Sequence, residues 1–211
     1  MRAAPLHELG PAAPGAEAAA LGLTLALAAQ WAGPAGIVWA GEEGAFAEDG
    51  APYPPGLGQF GLDLSKLVVV RANKRDDALW AAEQALGLPG AVVVCALGAH
   101  RKPLDLKATR RLLLFAERNG ALCLLLRPLD EASAAWTRWR ISAAPSRANA
   151  RELGPPAFRA ELVRNRAGPA GHVFTLEWNA HERRLIDRGE LAGDLSAAPV
   201  DGSADPLRAR A

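Results

Sequence analysis

Cysteine, histidine and long apolar runs are all scarce in this 211-residue chain, and each scarcity removes a class of function. The two cysteines, Cys95 and Cys123, each lie inside an apolar strand-like run. They read as buried, reduced thiols of a cytoplasmic protein rather than as a disulfide framework. Four histidines without paired-ligand spacing support no zinc site, and no metal or cofactor is expected. The apolar run at 18–32 is interrupted by Gly22, Thr24 and Gln30 and falls short of the ~20 residues that cross a bilayer, so no membrane role is expected. No charged-then-apolar leader with a cleavage site opens the sequence, which points away from secretion. What is present is apolar material: half of the residues, enough for one well-buried α/β domain and cramped for two.

Acidic charge is scarce in the second half and basic charge in the first. Residues 1–63 hold one Lys/Arg against seven Asp/Glu, a balance of 1 − 7 = −6; residues 101–188 hold 17 against nine, 17 − 9 = +8. The basic half suits a polyanion or an acidic partner surface. An arginine-rich solvated face in an Ala/Gly/Arg/Pro-rich chain accounts for it equally well.

A phosphate loop is outlined but lacks its chemical groups. Gly10 and Gly15 have the spacing of G-x-x-x-x-G-K-[ST], whose backbone N–H groups cradle phosphates ahead of a helix. The lysine and hydroxyl positions hold Ala16 and Glu17. A carboxylate there repels phosphate. In a chain with 21 glycines the spacing could also mean nothing.

Periodicity predicts a buried helix over 16–30, stopped by Gly33-Pro34, and a short strand at Ile37–Ala40 ending at Gly41-Glu42-Glu43. A loose stretch over 44–55 and a short helix near 57–60 follow. Leu67–Val70 is continuous and β-branched, which reads as a strand buried on both faces. Asp76 and Asp77 are placed to cap a helix running to Leu86. Ala91–Cys95 is another buried strand, residues 104–119 a helix with Gly120 as its stop, and Leu122–Leu126 a third apolar strand. This order predicts a mostly parallel sheet with helices on both faces. Beyond Pro128, residues 136–141, 158–166 and 172–178 alternate apolar and polar, as antiparallel strands at the sheet edge do. The domain is set at 1–188, with a disordered C-terminal tail from Gly189 to Ala211.

With these elements in order, residues 6 to about 185 resemble a RecA-type core. Leu6-His7-Glu8-Leu9-Gly10-Pro11 stands at the strand entering the phosphate loop, and Glu42 matches the catalytic glutamate after the second strand. The combination of His7-Glu8-Leu9, Pro52-Tyr53-Pro54-Pro55-Gly56-Leu57, Asp77-Ala78-Leu79-Trp80, Ala108-Thr109-Arg110-Arg111-Leu112, Thr137-Arg138-Trp139-Arg140 and Leu162-Val163-Arg164-Asn165-Arg166 is similar to the ImuA family. That resemblance implies a RecA-fold accessory factor of damage-induced, error-prone translesion synthesis within the SOS response. It implies an ImuB-like Y-family polymerase homologue and an error-prone DnaE-type polymerase as partners, with RecA as a further candidate. An alternative is a SulA-like cell-division inhibitor.

The departures from RecA bear on activity. Ala16 and Glu17 replace the phosphate-loop lysine and hydroxyl, and Cys95 replaces the Walker-B aspartate; a neutral thiol does not hold magnesium as a carboxylate does. With these phosphoryl-transfer parts missing, the expectation is a degenerate P-loop, no cofactor and no ATPase. A nucleotide enzyme borrowing Lys102 or Lys107 stays open. Arg138 and Arg140 interleave with Trp136 and Trp139 as single-stranded DNA contacts do, although alternation also sends Trp139 and Ile141 into the core. Arg164 and Arg166 complete the set of partner or DNA candidates.

Overall fold

The computed structural model describes residues 4–99, 103–147 and 154–191. One nine-stranded sheet organises them, in the order β3-β2-β4-β5-β1-β6-β7-β8-β9. The first strand, β1 (Leu6–Pro11), lies between β5 (Leu122–Leu126) and β6 (Thr137–Ala143) and is parallel to both. Next come β2 (Ile37–Glu42), β3 (Leu67–Ala72) and β4 (Val92–Ala96), also parallel to their neighbours. The sheet turns antiparallel from β6 to β7 (Ala157–Asn165), β8 (Val173–Asn179) and β9 (Arg184–Asp187). The mostly parallel sheet with an antiparallel C-terminal edge is therefore present. The strand at Thr137 is the hinge between the two regimes.

Helices cover the two faces unequally. On one face α1 (Glu17–Trp31), with the short helices α2 (Glu43–Asp49) and α3 (Pro54–Gln59), packs on Leu9, Trp39, Val94, Leu124, Trp139, Ile141 and Leu162. On the other face α4 (Arg75–Ala85) and α5 (Leu106–Asn119) pack on Val93, Cys95, Cys123 and Leu125. A last turn, α6, spans Arg188–Leu191. α1 is apolar nearly all round because it packs on the sheet from β4 across to β9 and also meets α2. No helix among the described residues is long and apolar enough to cross a membrane.

The strand at Leu67 departs from expectation. It is the edge strand, with Val68 and Val69 exposed; a β-branched run marks a strand but does not count its neighbours. α4 starts two to three residues earlier than its acids suggested: Lys74 is the N-cap, with no side-chain cap, and Asp76 and Asp77 lie within the first turn. Their charge suits the positive end of the helix. α5 ends as expected, on Gly120 in the left-handed region at φ 57°, which only glycine enters without a Cβ clash. The helix α2 and the strand β9 lie where no periodicity announced them. Of the predicted tail, residues 192–211 lie outside the described residues.

Candidate functional site

The phosphate-loop candidates lie together where β1 hands over to α1; the space over Gly10 is filled, and that around Gly15 is open. A Cβ on Gly10 would fall 2.4 Å from the carbonyl oxygen of Arg127 and 2.6 Å from Cγ of Leu129. Gly10 thus lets the β5–β6 connection pass directly against the loop. Gly15, at φ +91°, is a left-handed turn that glycine makes without strain. Pro11 and Pro14 offer no N–H. The N–H of Ala12 donates to the Ile141 carbonyl at 2.7 Å, and that of Ala16 to the Ala13 carbonyl at 3.1 Å. Glu17, in the first turn of α1, puts a carboxylate at the helix's positive end, where a bound anion would lie. The cavity left between Pro11, Glu17, Ala45, Leu97 and Arg127 is about 90 Å³, small beside the roughly 300–1,000 Å³ of small-molecule sites.

Cys95 is not part of this cluster. It sits between Ala40 and Leu125 on neighbouring strands and belongs to the core beneath α4 and α5, whereas Glu17 begins the helix on the opposite face. Burial pushes its thiol up to about 12, with the nearby charges of Glu83 and Glu42 adding to the shift. Cys123 is pushed up as well, by burial first. Both are neutral thiols at physiological pH. Glu42 ends β2 and is buried. Among the described residues, no group of three or more His, Cys, Asp or Glu is placed to hold a metal ion.

Beside the loop lies an ionic cluster that sequence reasoning missed. Glu8, on β1, is fully buried and sits between two guanidinium groups: Arg127 Nε at 2.6 Å and Arg138 Nε at 2.8 Å. These N–H groups are not aligned on the carboxylate oxygens, so the pairs are charge contacts more than hydrogen bonds. Arg127 also pairs with Glu131, whose Oε2 accepts the Leu104 N–H at 2.7 Å. One carboxylate thereby ties β1 to the end of β5 and to β6. His7 points the other way, its Nδ1 at 2.6 Å from Thr137 Oγ1, beside Trp31. No pattern signals Glu8 in the sequence, because an acid at one strand position looks like a solvent-facing residue.

The four arginines chosen as partner or DNA contacts do not form one free surface. Arg138 is engaged by Glu8 and donates to the Leu129 carbonyl at 2.9 Å. Arg164 and Arg166 donate to the carbonyls of Ser133 (2.7 Å) and Ala134 (3.2 Å), and Arg166 lies over the Trp136 ring. These three, with Arg127, hold down the connection between β5 and β6. Arg164 and Arg166 keep exposed surface around these bonds, as does Arg140, which pairs with Glu161 at 3.5 Å. Trp139 points into the α1-side core, with its indole N–H donated to Thr137.

A further group of exposed cations of the basic half lies on α5, where Lys107, Arg110, Arg111 and Arg118 recur at helical spacing. A count of charges on the exposed stripe of the predicted helix was the signal available for them. Lys107 offers nothing to the phosphate loop from this outer helix face, and Lys102 lies outside the described residues.

Comparison with known proteins agrees with this picture in outline. No family model matches the chain. Protein ImuA from two strains of Caulobacter vibrioides is 35% identical over 144 residues, covering 61% of this chain and 58% of the relative; the chain spans less than two thirds of those relatives' length. Among solved structures, the RadB recombinase superposes with a TM-score of 0.54 at 14% identity, over 85% of this chain and 90% of that one. SulA from Pseudomonas aeruginosa gives a TM-score of 0.42 at 21% identity, over 58% of this chain and 97% of that one. The RadB likeness shows the RecA-like fold, and the curated relatives bear out the family resemblance read from the motifs.

Proposed function

We propose, from the premise that this chain is ImuA-like and RecA-folded, that it acts in DNA-damage-induced mutagenesis as a non-enzymatic accessory factor. The observation that carries this reading is the phosphate loop, closed over at Gly10. Its prolines remove donors, two of its remaining N–H groups are bonded to backbone carbonyls, and Leu129 and the Arg127 carbonyl occupy the space over Gly10. Glu17 supplies negative charge where phosphate would sit. A missing lysine also removes charge-assisted hydrogen bonds worth roughly 1.5–3 kcal/mol each. The loop is thus degenerate, and the protein works by contact.

The partners we assign are an ImuB-like Y-family polymerase homologue and an error-prone DnaE-type polymerase, with RecA as a further candidate and the cytoplasm as the place. A core whose packing is intact while its catalytic parts are gone is what a binding module needs, since packing alone keeps its surface in shape. Calorimetry with ATP and magnesium tests the enzymatic half: no binding is expected, and a micromolar dissociation constant with turnover would overturn it. Co-purification with the Y-family-like protein, together with damage-induced mutation rates in cells carrying Glu42→Ala, tests the other half. Glu42→Ala should leave mutagenesis near wild type; loss equal to deletion, with the protein folded, would mean the site is alive.

A further inference from the structure

We infer that the outer face of α4 and α5 is a docking surface for an acidic, amphipathic helical segment of a protein partner. The face is built by sequence spacing. Lys107, Arg110, Leu114 and Arg118 recur at intervals of three and four along α5 and therefore share one stripe, all of them exposed. The stripe runs 11 residues, roughly 16 Å at the rise of an α-helix, which is the length of three helical turns. Arg111, in the same stripe, bonds the buried Glu83 of α4 and locks the two helices side by side. One turn before Glu83, α4 carries Trp80, 62% exposed.

The charges fix the occupant's chemistry. Among the described residues Lys107, Arg110 and Arg118 have no ion-pair partner, in contrast to Arg111. The acid next to the stripe, Glu117, is turned to the Trp136 indole at 3.5 Å. Between the cations sits Leu114, 38% exposed, with Leu106 at 48% at the start of the helix. Unpaired cations beside exposed Leu114, with exposed Trp80 on the helix that Arg111 ties to them, match a helix with an apolar stripe edged by Glu and Asp, laid across the outer face of α4 and α5. Tryptophan and arginine are also the side chains that dominate interface energetics. A nucleic-acid backbone fits less well. Leu106 and Leu114 are aliphatic, and Trp80 by itself leaves successive bases without a row of rings to stack on.

This inference refines the contact function proposed above by naming a surface, and its test separates the two. The probe is a synthetic 16-residue helical peptide with a Leu/Trp stripe flanked by glutamates, with a lysine-flanked twin as control, titrated by fluorescence anisotropy. We expect the acidic peptide to bind in a salt-sensitive way and its twin not to bind. Arg110→Glu with Arg118→Glu, and separately Trp80→Ser, should each weaken binding at least tenfold with circular dichroism unchanged. Arg140→Glu with Arg159→Glu, on the antiparallel edge, should not. The same variants are then assayed with the Y-family-like protein. If that protein binds wild type and both α4–α5 variants equally, or if no acidic peptide binds, the docking inference is overturned while the contact function can stand. If the peptide binds through α5 but the Y-family-like protein does not bind at all, the docking face stands and the assigned partner falls. A single-stranded oligonucleotide that binds through Arg110 and Arg118 while the peptide does not would make the face a nucleic-acid surface and overturn the inference.

Discussion

The cations around the β5–β6 connection and those on α5 come from the same basic half of the chain, and they differ in where their charge goes. Arg127 and Arg138 are drawn inward to Glu8, Glu131 and the Leu129 carbonyl, and Arg164 and Arg166, though exposed, turn inward to the carbonyls of Ser133 and Ala134. Lys107, Arg110 and Arg118 point to solvent from one helix stripe. The inward set holds a connection in place beside the phosphate loop, and so contributes to stability. The outward set contributes little to stability and leaves its field available to a partner. Net charge alone treats them as equal; their partners within the protein separate them.

The sharpest way to break this comparison is to remove Glu8. Glu8→Ala would leave Arg127 and Arg138 buried without their counter-charge, and loss of one partner of a buried pair costs about 3–5 kcal/mol. Urea denaturation should show it as a large fall in midpoint. Replacing Glu8, Arg127 and Arg138 together by Leu, Met and Met should recover most of the loss, because a well-packed apolar substitute often matches a buried ion cluster. A Glu8→Ala protein within about 1 kcal/mol of wild type would show that the cluster is not holding the connection.

Next in size is Arg164→Ala, which removes an exposed charged donor from the Ser133 carbonyl and should cost about 0.5–1.5 kcal/mol. Protease cleavage within 128–136 should speed up in parallel. Equal cleavage rates would mean that the connection is held without it.

The buried thiols offer a neutral contrast within the same sheet. Cys95 titrates at about 12 when folded, against an ordinary value of 9.0, so above pH 9 the unfolded chain releases a proton that the folded one keeps. Stability should therefore decline from pH 9 towards 12, at about 1.4 kcal/mol per pH unit for this group, and be indifferent to it below pH 8. Maleimide should label neither Cys95 nor Cys123 at pH 7 until the protein unfolds; labelling of the native protein would show that the strands open.

The smallest expected effect is on α5. Arg110→Ala and Arg118→Ala should each shift stability by no more than about 0.5 kcal/mol, measured in the same denaturation series as Arg164→Ala. A loss of 2 kcal/mol at either would erase the distinction between the two sets of cations.

Much of this architecture was legible in the residues. The continuous runs at 91–95 and 122–126 became central parallel strands, Gly120 ended its helix, and the alternation after Pro128 became the antiparallel edge. Local patterns report what a residue does to its own backbone, and these elements depend on little else. Position in the sheet does depend on the rest of the chain, so Leu67–Val70 read as a buried strand and proved to be the edge. Side-chain partners are further out of reach. Arg138 and Arg164 looked available because nothing local shows that Glu8 lies opposite one and the Ser133 carbonyl beside the other, both far away in sequence. Glu8 was invisible for the same reason.

The central place of β1 has a consequence for how the chain is made. Leu6 pairs with Cys123, and His7 with Thr137, so the first strand has no neighbour until at least 117 further residues (123 − 6) have been added. At synthesis rates of roughly 5–20 residues per second, that is on the order of 6–25 s. Throughout that time Leu6 and Leu9, the unbonded edges of β1 and the carboxylate of Glu8 wait in water. The pairing that joins β5 to β6 through β1 is therefore the sheet's most non-local one, the kind that slows folding and exposes intermediates to aggregation. Nascent chains ending before residue 123 should be protease-sensitive across 4–16, and chains extended past residue 143, which carry both partner strands, should not.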